Sequence, residues 1–181
     1  MDSTTHPRPI YRVGLRLTNK DDVAVMAGLE ANLAFGPTRP WSIRAHTRLL
    51  KDKNVAHLVL HRGVLNVGYA VLTDISDPSG CVRLRRLLTW NPNQIVWGAA
   101  MQAILRLCFC DWQATRVWVN TQDLDPAMPA VLLELGFGPE GSGEEATSTD
   151  QVTTPRTLSI LAAEHERLWP DATSGQRQTS A

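Results

Sequence analysis

The densest set of side chains able to do chemistry is the arginine run Arg83, Arg85 and Arg86, inside CVRLRRLLT (Cys81–Thr89). On a regular extended chain Arg83 and Arg85 share one face and Arg86 takes the other. A guanidinium aimed into a cleft could hold a carboxylate, whereas on an open sheet face it would only be solvated. Upstream, Asp74 and Asp77 lie close enough for acid–base work. Ser76, Pro78, Ser79 and Gly80 surround them, so turn stabilisation is the expected role. His6, His46, His57, His61 and His165 are scattered, and none sits beside a Ser or Cys and an acid in a nucleophile motif. No GxSxG, GxGxxG or Walker loop is present, which leaves hydrolase and nucleotide-binding chemistry without support. The three cysteines, Cys81, Cys108 and Cys110, have no second Cys or His pair at metal-ligand spacing, so no metal is expected. They read as buried, inert thiols.

The bulk properties narrow the classes further. A chain of 181 residues suits one domain with one core, expected over residues 10–170, with flexible termini at 1–9 and 171–181. Lys plus Arg equals Asp plus Glu at 18 each, so no global charge favours nucleic acid or an anionic membrane. The apolar runs fall far short of a membrane span and MDSTTHPRP lacks a secretory core. A cytoplasmic protein is the expectation, with neither a nucleic-acid nor a membrane partner.

The elements that must position these residues follow from periodicity. Cys81–Thr89 reads as a strand, Asn91-Pro92-Asn93 breaks it, and Met101, Ile104, Leu105, Cys108 and Trp112 recur at helical spacing. TRVWVNT (115–121) is a second strand, and Asp125 can cap a helix that starts at Pro126 and stops at Gly136. Before this unit come a strand over Tyr11–Leu17, a helix begun by Thr18-Asn19 and Asp21-Asp22, and a short helix from Ser42 to Leu50. A hairpin of Val55–His61 and Leu65–Leu72 turns at Arg62-Gly63. Pairing it with Cys81–Thr89 gives an antiparallel meander. Gly138–Pro155 is too polar to bury, and Leu158–Leu161 centres one more strand.

Leu84-Arg85-Arg86-Leu87, Pro92, Phe109, Arg116, Trp118, Leu135-Gly136-Phe137 and Glu140-Gly141 occur at a spacing that resembles the GNAT superfamily of acetyl-CoA-dependent N-acetyltransferases. The resemblance implies an α/β (α+β) fold, a mixed, mainly antiparallel central sheet with helices on both faces, in which Cys81–Thr89 and Arg116–Thr121 are neighbours that splay into a cleft. It implies that Leu87, Leu88 and Thr89 offer backbone groups to the pantetheine arm of acetyl-CoA. The turn at Gln94, Ile95, Val96, Trp97 and Gly98 would hold the pyrophosphate, and Asp125 stands where the family usually has a cofactor-binding Asn.

Several positions depart from the pattern. Ile95, Val96 and Trp97 replace the permissive residues of the phosphate loop, whose backbone a phosphate approaches closely. Trp90 and Trp97 bracket that loop and could stack on a ligand or fill the space. Arg83 stands where this subgroup often has Glu, and Leu132, expected in or beside the cleft, stands where many members have the Tyr that protonates the thiolate. Phe35 with Pro40-Trp41-Ser42 resembles an acceptor wall, Trp41 reading equally as a plug between helices. His46, on that side, is the histidine expected to reach a substrate, against the commoner outcome of a solvent-facing ring. Two functions stay open: an acyl-CoA-dependent N-acyltransferase acting on a small-molecule or peptide amine by direct attack, and a pseudo-acetyltransferase whose cleft serves binding or other chemistry. A homodimer is left open as well.

Overall fold

A computed structural model of the protein describes residues 11–32, 39–140 and 156–170. Within them seven strands form one sheet in the order β1-β2-β3-β4-β5-β7-β6. They are β1 Gly14–Leu17, β2 Val55–Arg62, β3 Leu65–Thr73, β4 Cys81–Thr89, β5 Arg116–Asn120, β6 Gly138–Pro139 and β7 Thr157–Leu161. All neighbours are antiparallel except β4 and β5, which run parallel. Five helices accompany them: α1 Asp22–Asn32, α2 Ile43–Leu49, α3 Gln94–Arg106, α4 Met128–Glu134 and α5 Ala162–Leu168. The mixed, mainly antiparallel sheet expected from the sequence is therefore present. Among the described residues no helix is long and apolar enough to cross a membrane.

Strand alternation divides the apolar residues between two cores. Leu58, Leu60, Ala70, Leu72, Val82, Leu84, Leu87, Val117 and Val119 turn to one face, where Trp97, Met101, Ile104 and Leu105 of α3 and Met128, Val131 and Leu132 of α4 cover them. Val59, Tyr69, Val71 and Leu88 turn to the other, under Met26 and Leu29 of α1. Asn19 and Asp22 start α1 reciprocally, each side chain accepting the other's backbone amide (3.1 and 2.9 Å). Arg16 clamps Asp22 with two nitrogens (2.7 and 2.8 Å), which holds its carboxyl below the usual range. Ser42 caps α2 as read from the sequence, its Oγ accepting from the Ala45 amide (3.3 Å).

The carboxylates of the β3–β4 connection do turn work. Asp77 Oδ1 accepts from the Ser79 amide (2.7 Å), and Asp74 takes a left-handed conformation with φ of 63°. The cysteines are free; Cys108 is buried as expected, with burial pushing its thiol up to about 12, whereas Cys81 and Cys110 are only half-buried.

Three parts differ from the sequence reading. Residues 126–127 make a turn instead of opening α4: Asp125 Oδ1 accepts from the Ala127 amide and its carbonyl from Met128 (both 2.9 Å), and the helix begins at Met128. Gly138–Pro139, in the stretch read as too polar to bury, joins the sheet edge through backbone bonds, and the chain after β7 forms α5. Leu132 is no cleft residue: with Met128 and Val131 it makes the i, i+3, i+4 stripe of α4 and is fully buried in the main core. Phe35, Gly141 and the segments 1–9 and 171–181 lie outside the described residues.

Because Leu132 has no open space beside it, Leu132→Tyr should overpack the core and cost about 1–3 kcal/mol. Urea unfolding measures this, and a variant as stable as the parent would return the side chain to the cleft.

Candidate functional site

β4 and β5 pair from Cys81 opposite Arg116 to Leu84 opposite Val119 and no further. At that point the register with β3 shifts: Leu72 faces Leu84 and Val71 faces Arg86, so Arg85 is an extra, bulged residue. β4 follows β3 on to Thr89, opposite Gly68, while β5 ends at Asn120 and turns away through a 3₁₀ turn, Thr121–Asp123. A cleft opens between them. Leu87, Leu88 and Thr89 form one wall and Asp123, Leu124 and Asp125 the other, with Trp97, Pro40, Pro92, Glu30 and Arg86 also lining it. Its enclosed part is narrow, about 20 Å³, close to the room one water needs. Gly68 permits the close approach of β3 here, since a Cβ would collide with the Leu88 carbonyl oxygen and stand 2.9 Å from Thr89 Cα.

Against this cleft lies a buried polar cluster. Glu30 sits on the apolar stripe of α1, seven residues after Val23 and four after Met26, and is 3% exposed. Its carboxylate accepts from Arg86 Nε (2.9 Å) and Nη2 (2.6 Å), from the Trp41 amide (2.8 Å) and from the Tyr69 hydroxyl. Arg86 also donates to the Arg39 carbonyl (2.8 Å). The Trp41 ring lies under two guanidiniums, Arg86 at 4.4 Å and Arg85 at 5.2 Å. Strict alternation would have separated these arginines, but the bulge turns both to one ring. Arg83 goes elsewhere, to Asp123 (2.8 Å) and over Trp118 (4.8 Å).

The cluster continues through two histidines. His46 Nδ1 is 2.9 Å from His57 Nε2, and His57 Nδ1 is 3.0 Å from Thr18 Oγ1. His46 is wholly buried, so the solvent-facing helical ring does not occur. Its Nε2 has no hydrogen-bond partner among the described residues and lies 3.8 Å from Glu30 Oε1. Burial lowers both histidines. His57 is pushed down to about 4, with His46 adding and Asp22 opposing; on His46 the Glu30 charge opposes and Arg86 adds. Both rings are neutral at pH 7.

Of the residues expected to bind cofactor, Leu87, Leu88, Thr89, Trp97 and Asp125 come together at the cleft. Ile95 and Val96 face a separate groove with Tyr11, Arg62, Leu65 and Trp90. Gln94 is exposed at the first position of α3, and Gly98 is half-buried inside that helix. Only the four residues 90–93 connect β4 to the helix. Asn93 caps α3 directly, its Oδ1 accepting from the Val96 amide and its carbonyl from Trp97 (both 3.0 Å), which leaves Gln94 and Ile95 as the amides without a helical partner. The sequence reading passed over Glu30, Tyr69 and His57. A carboxylate in register with Val23 and Met26, and a histidine alternating with Val55 and Val59, were the available signals.

The histidine cluster makes stability depend on acid. Between about pH 6.5 and 4 the unfolded chain binds a proton at His57 that the folded chain refuses, so stability is complete above this window and falls as pH drops through it. The difference is on the order of 3 kcal/mol at most. Urea unfolding at pH 7, 5 and 4 should show a shallower loss for His57→Gln than for the parent; equal slopes would mean that His57 titrates normally.

No protein-family model and no curated protein matches the chain. Solved structures do match. A Vibrio cholerae spermidine N-acetyltransferase in complex with CoA and spermine is 13% identical, with 85% of this chain and 98% of that one covered at a TM-score of 0.66. A chimera of the Vibrio cholerae enzyme SpeG with hSSAT gives 14%, 86%, 98% and 0.67, and Mycobacterium smegmatis RimJ in complex with CoA-disulfide gives 17%, 84%, 83% and 0.61. What is shared at such identities is the architecture: the chain has the fold of the GNAT N-acetyltransferases.

Proposed function

We propose that the protein is an acyl-CoA-dependent N-acyltransferase, with acetyl-CoA as donor and an amine of a small molecule or peptide as acceptor, its working unit residues 10–170. The observation that carries this reading is the edge of β4 beyond Leu84, which no strand pairs among the described residues although Leu87, Leu88 and Thr89 continue along the cleft. A pantetheine arm carries amides and can take the place of the absent strand. The first turn of α3 lies at the end of that edge, where the Gln94 and Ile95 amides and the helix dipole suit a pyrophosphate. Solved structures with the same fold include complexes with CoA, CoA-disulfide and spermine, which supports a thioester donor and an amine acceptor.

In this reading the neutral amine attacks the thioester carbonyl, the C–N bond forms, and the C–S bond breaks with its electron pair on sulfur. The nitrogen loses a proton and the thiol gains one. Alignment alone can supply roughly 7–11 kcal/mol of such a barrier, so the chemistry tolerates the loss of a dedicated acid at position 132. Phosphate binding should be weak, since Arg86 is the one arginine or lysine lining the cleft among the described residues and Glu30 occupies it. The narrowness of the cleft favours a second reading, a GNAT-shaped protein that binds a ligand or partner without acyl transfer.

Melting curves separate the two. At a hundredfold excess over its dissociation constant acetyl-CoA should add about 2.7 kcal/mol, and millimolar concentrations should be needed. Gly98→Ala should keep that shift and raise stability by about 0.5–1 kcal/mol, because an added Cβ meets nothing within 4 Å. No shift with any acyl-CoA and no product from a panel of amines would leave the binding protein.

A further inference from the structure

Three buried polar side chains line the cleft, Glu30 and Arg86 paired with each other and Thr89 in the opposite state. The Glu30 carboxylate is filled by Arg86, Trp41 and Tyr69, which leaves no acceptor position for a ligand. Thr89 is 1% exposed, and its hydroxyl has no hydrogen-bond partner among the described residues. Burying such a group unpaired is unfavourable, and valine would fill the same volume without that cost. Nor is Thr89 loosely held. β4 fixes it opposite Gly68, β3 lies close because that glycine has no Cβ, and a β-branched side chain has few rotamers.

The surroundings select the partner. Beside Thr89 the cleft is walled by Leu87, Leu88, Trp97 and Leu124, and Arg86 is committed to Glu30. An anionic group would arrive there without a counter-charge, whereas a neutral carbonyl on an apolar arm needs only one donor. We propose that the Thr89 hydroxyl donates a hydrogen bond to a carbonyl oxygen of the bound acyl-pantetheine chain. This rests on the acyltransferase reading. The hydroxyl keeps its proton throughout. If the oxygen is that of the thioester, it gains negative charge as the amine attacks, and the bond strengthens toward the transition state.

The test compares Thr89→Val, which keeps the shape, with Thr89→Ser, which keeps the hydroxyl. Thr89→Val should be at least as stable as the parent in urea, while Thr89→Ser should retain acyl transfer. Binding of CoA and acetyl-CoA by calorimetry tells the two carbonyls apart. A pantetheine amide partner weakens both ligands about 2- to 12-fold in Thr89→Val with kcat unchanged. A thioester partner leaves CoA binding intact and lowers kcat by about 10²–10³. Thr89→Val that binds and turns over like the parent, or that is destabilised, overturns the inference and leaves the acyltransferase reading standing. A parent chain that binds neither CoA nor acetyl-CoA overturns both.

Discussion

One extra residue in β4 governs the site. Without the bulge at Arg85, alternation would point Arg86 to the same face as Val82 and Leu84, into the apolar core under α3, where a guanidinium has no partner. With it, Leu87 takes the core position and Arg86 turns to the opposite face, where Glu30 waits on α1. The same step ends pairing with β5. Opening of the cleft and formation of the buried ion pair thus coincide at one local change in register.

The cluster around that ion pair compensates for a thin apolar layer. On the α1 side few buried apolar residues come from the helices, Met26 and Leu29 among them. The polar chain links more of the structure: Glu30 from α1, His46 from α2, His57 from β2, Tyr69 from β3 and Arg86 from β4, with Trp41 closing the top. Removing one member of a buried ion pair is expensive, on the order of 3–5 kcal/mol, because the other is left uncompensated. The network therefore fixes the α1–α2 layer against the sheet by specificity of partners where apolar area is small. Among the described residues, the unpartnered His46 nitrogen is where it is incomplete.

Much of the frame was legible in the sequence, and the reasons are local. β4 ends where Asn91-Pro92-Asn93 begins, the hairpin turns at Gly63, and Ser42 caps α2, because turn and cap residues act on their own neighbours. What was hidden depends on pairing. A bulge leaves no mark in CVRLRRLLT, so the arginines were given the wrong faces. Leu132 is apolar in either role, and only the packing of α4 on the sheet decides that it joins Met128 and Val131 in the core. Glu30 was overlooked because one carboxylate in a helix reads as solvated until its partner, 56 residues away, is known.

The start of α3 shows how the chain dispenses with a glycine-rich turn. In such a turn bare backbone amides form the anion site because no side chain crowds them. Here Asn93 caps the helix with its own side chain, so regular geometry begins at Gln94, and successive residues point in directions about 100° apart. Trp97 goes under the helix into the main core and the cleft, Val96 is buried on the side of the neighbouring groove, and Ile95 stays exposed at its rim. Each bulky residue that displaced a permissive one therefore has a separate destination. What remains for an anion is the dipole of a 13-residue helix and two amides without a helical partner. That is a weaker site than a nest of amides, and a ligand held here has to draw more of its binding from the edge of β4 than from its phosphates.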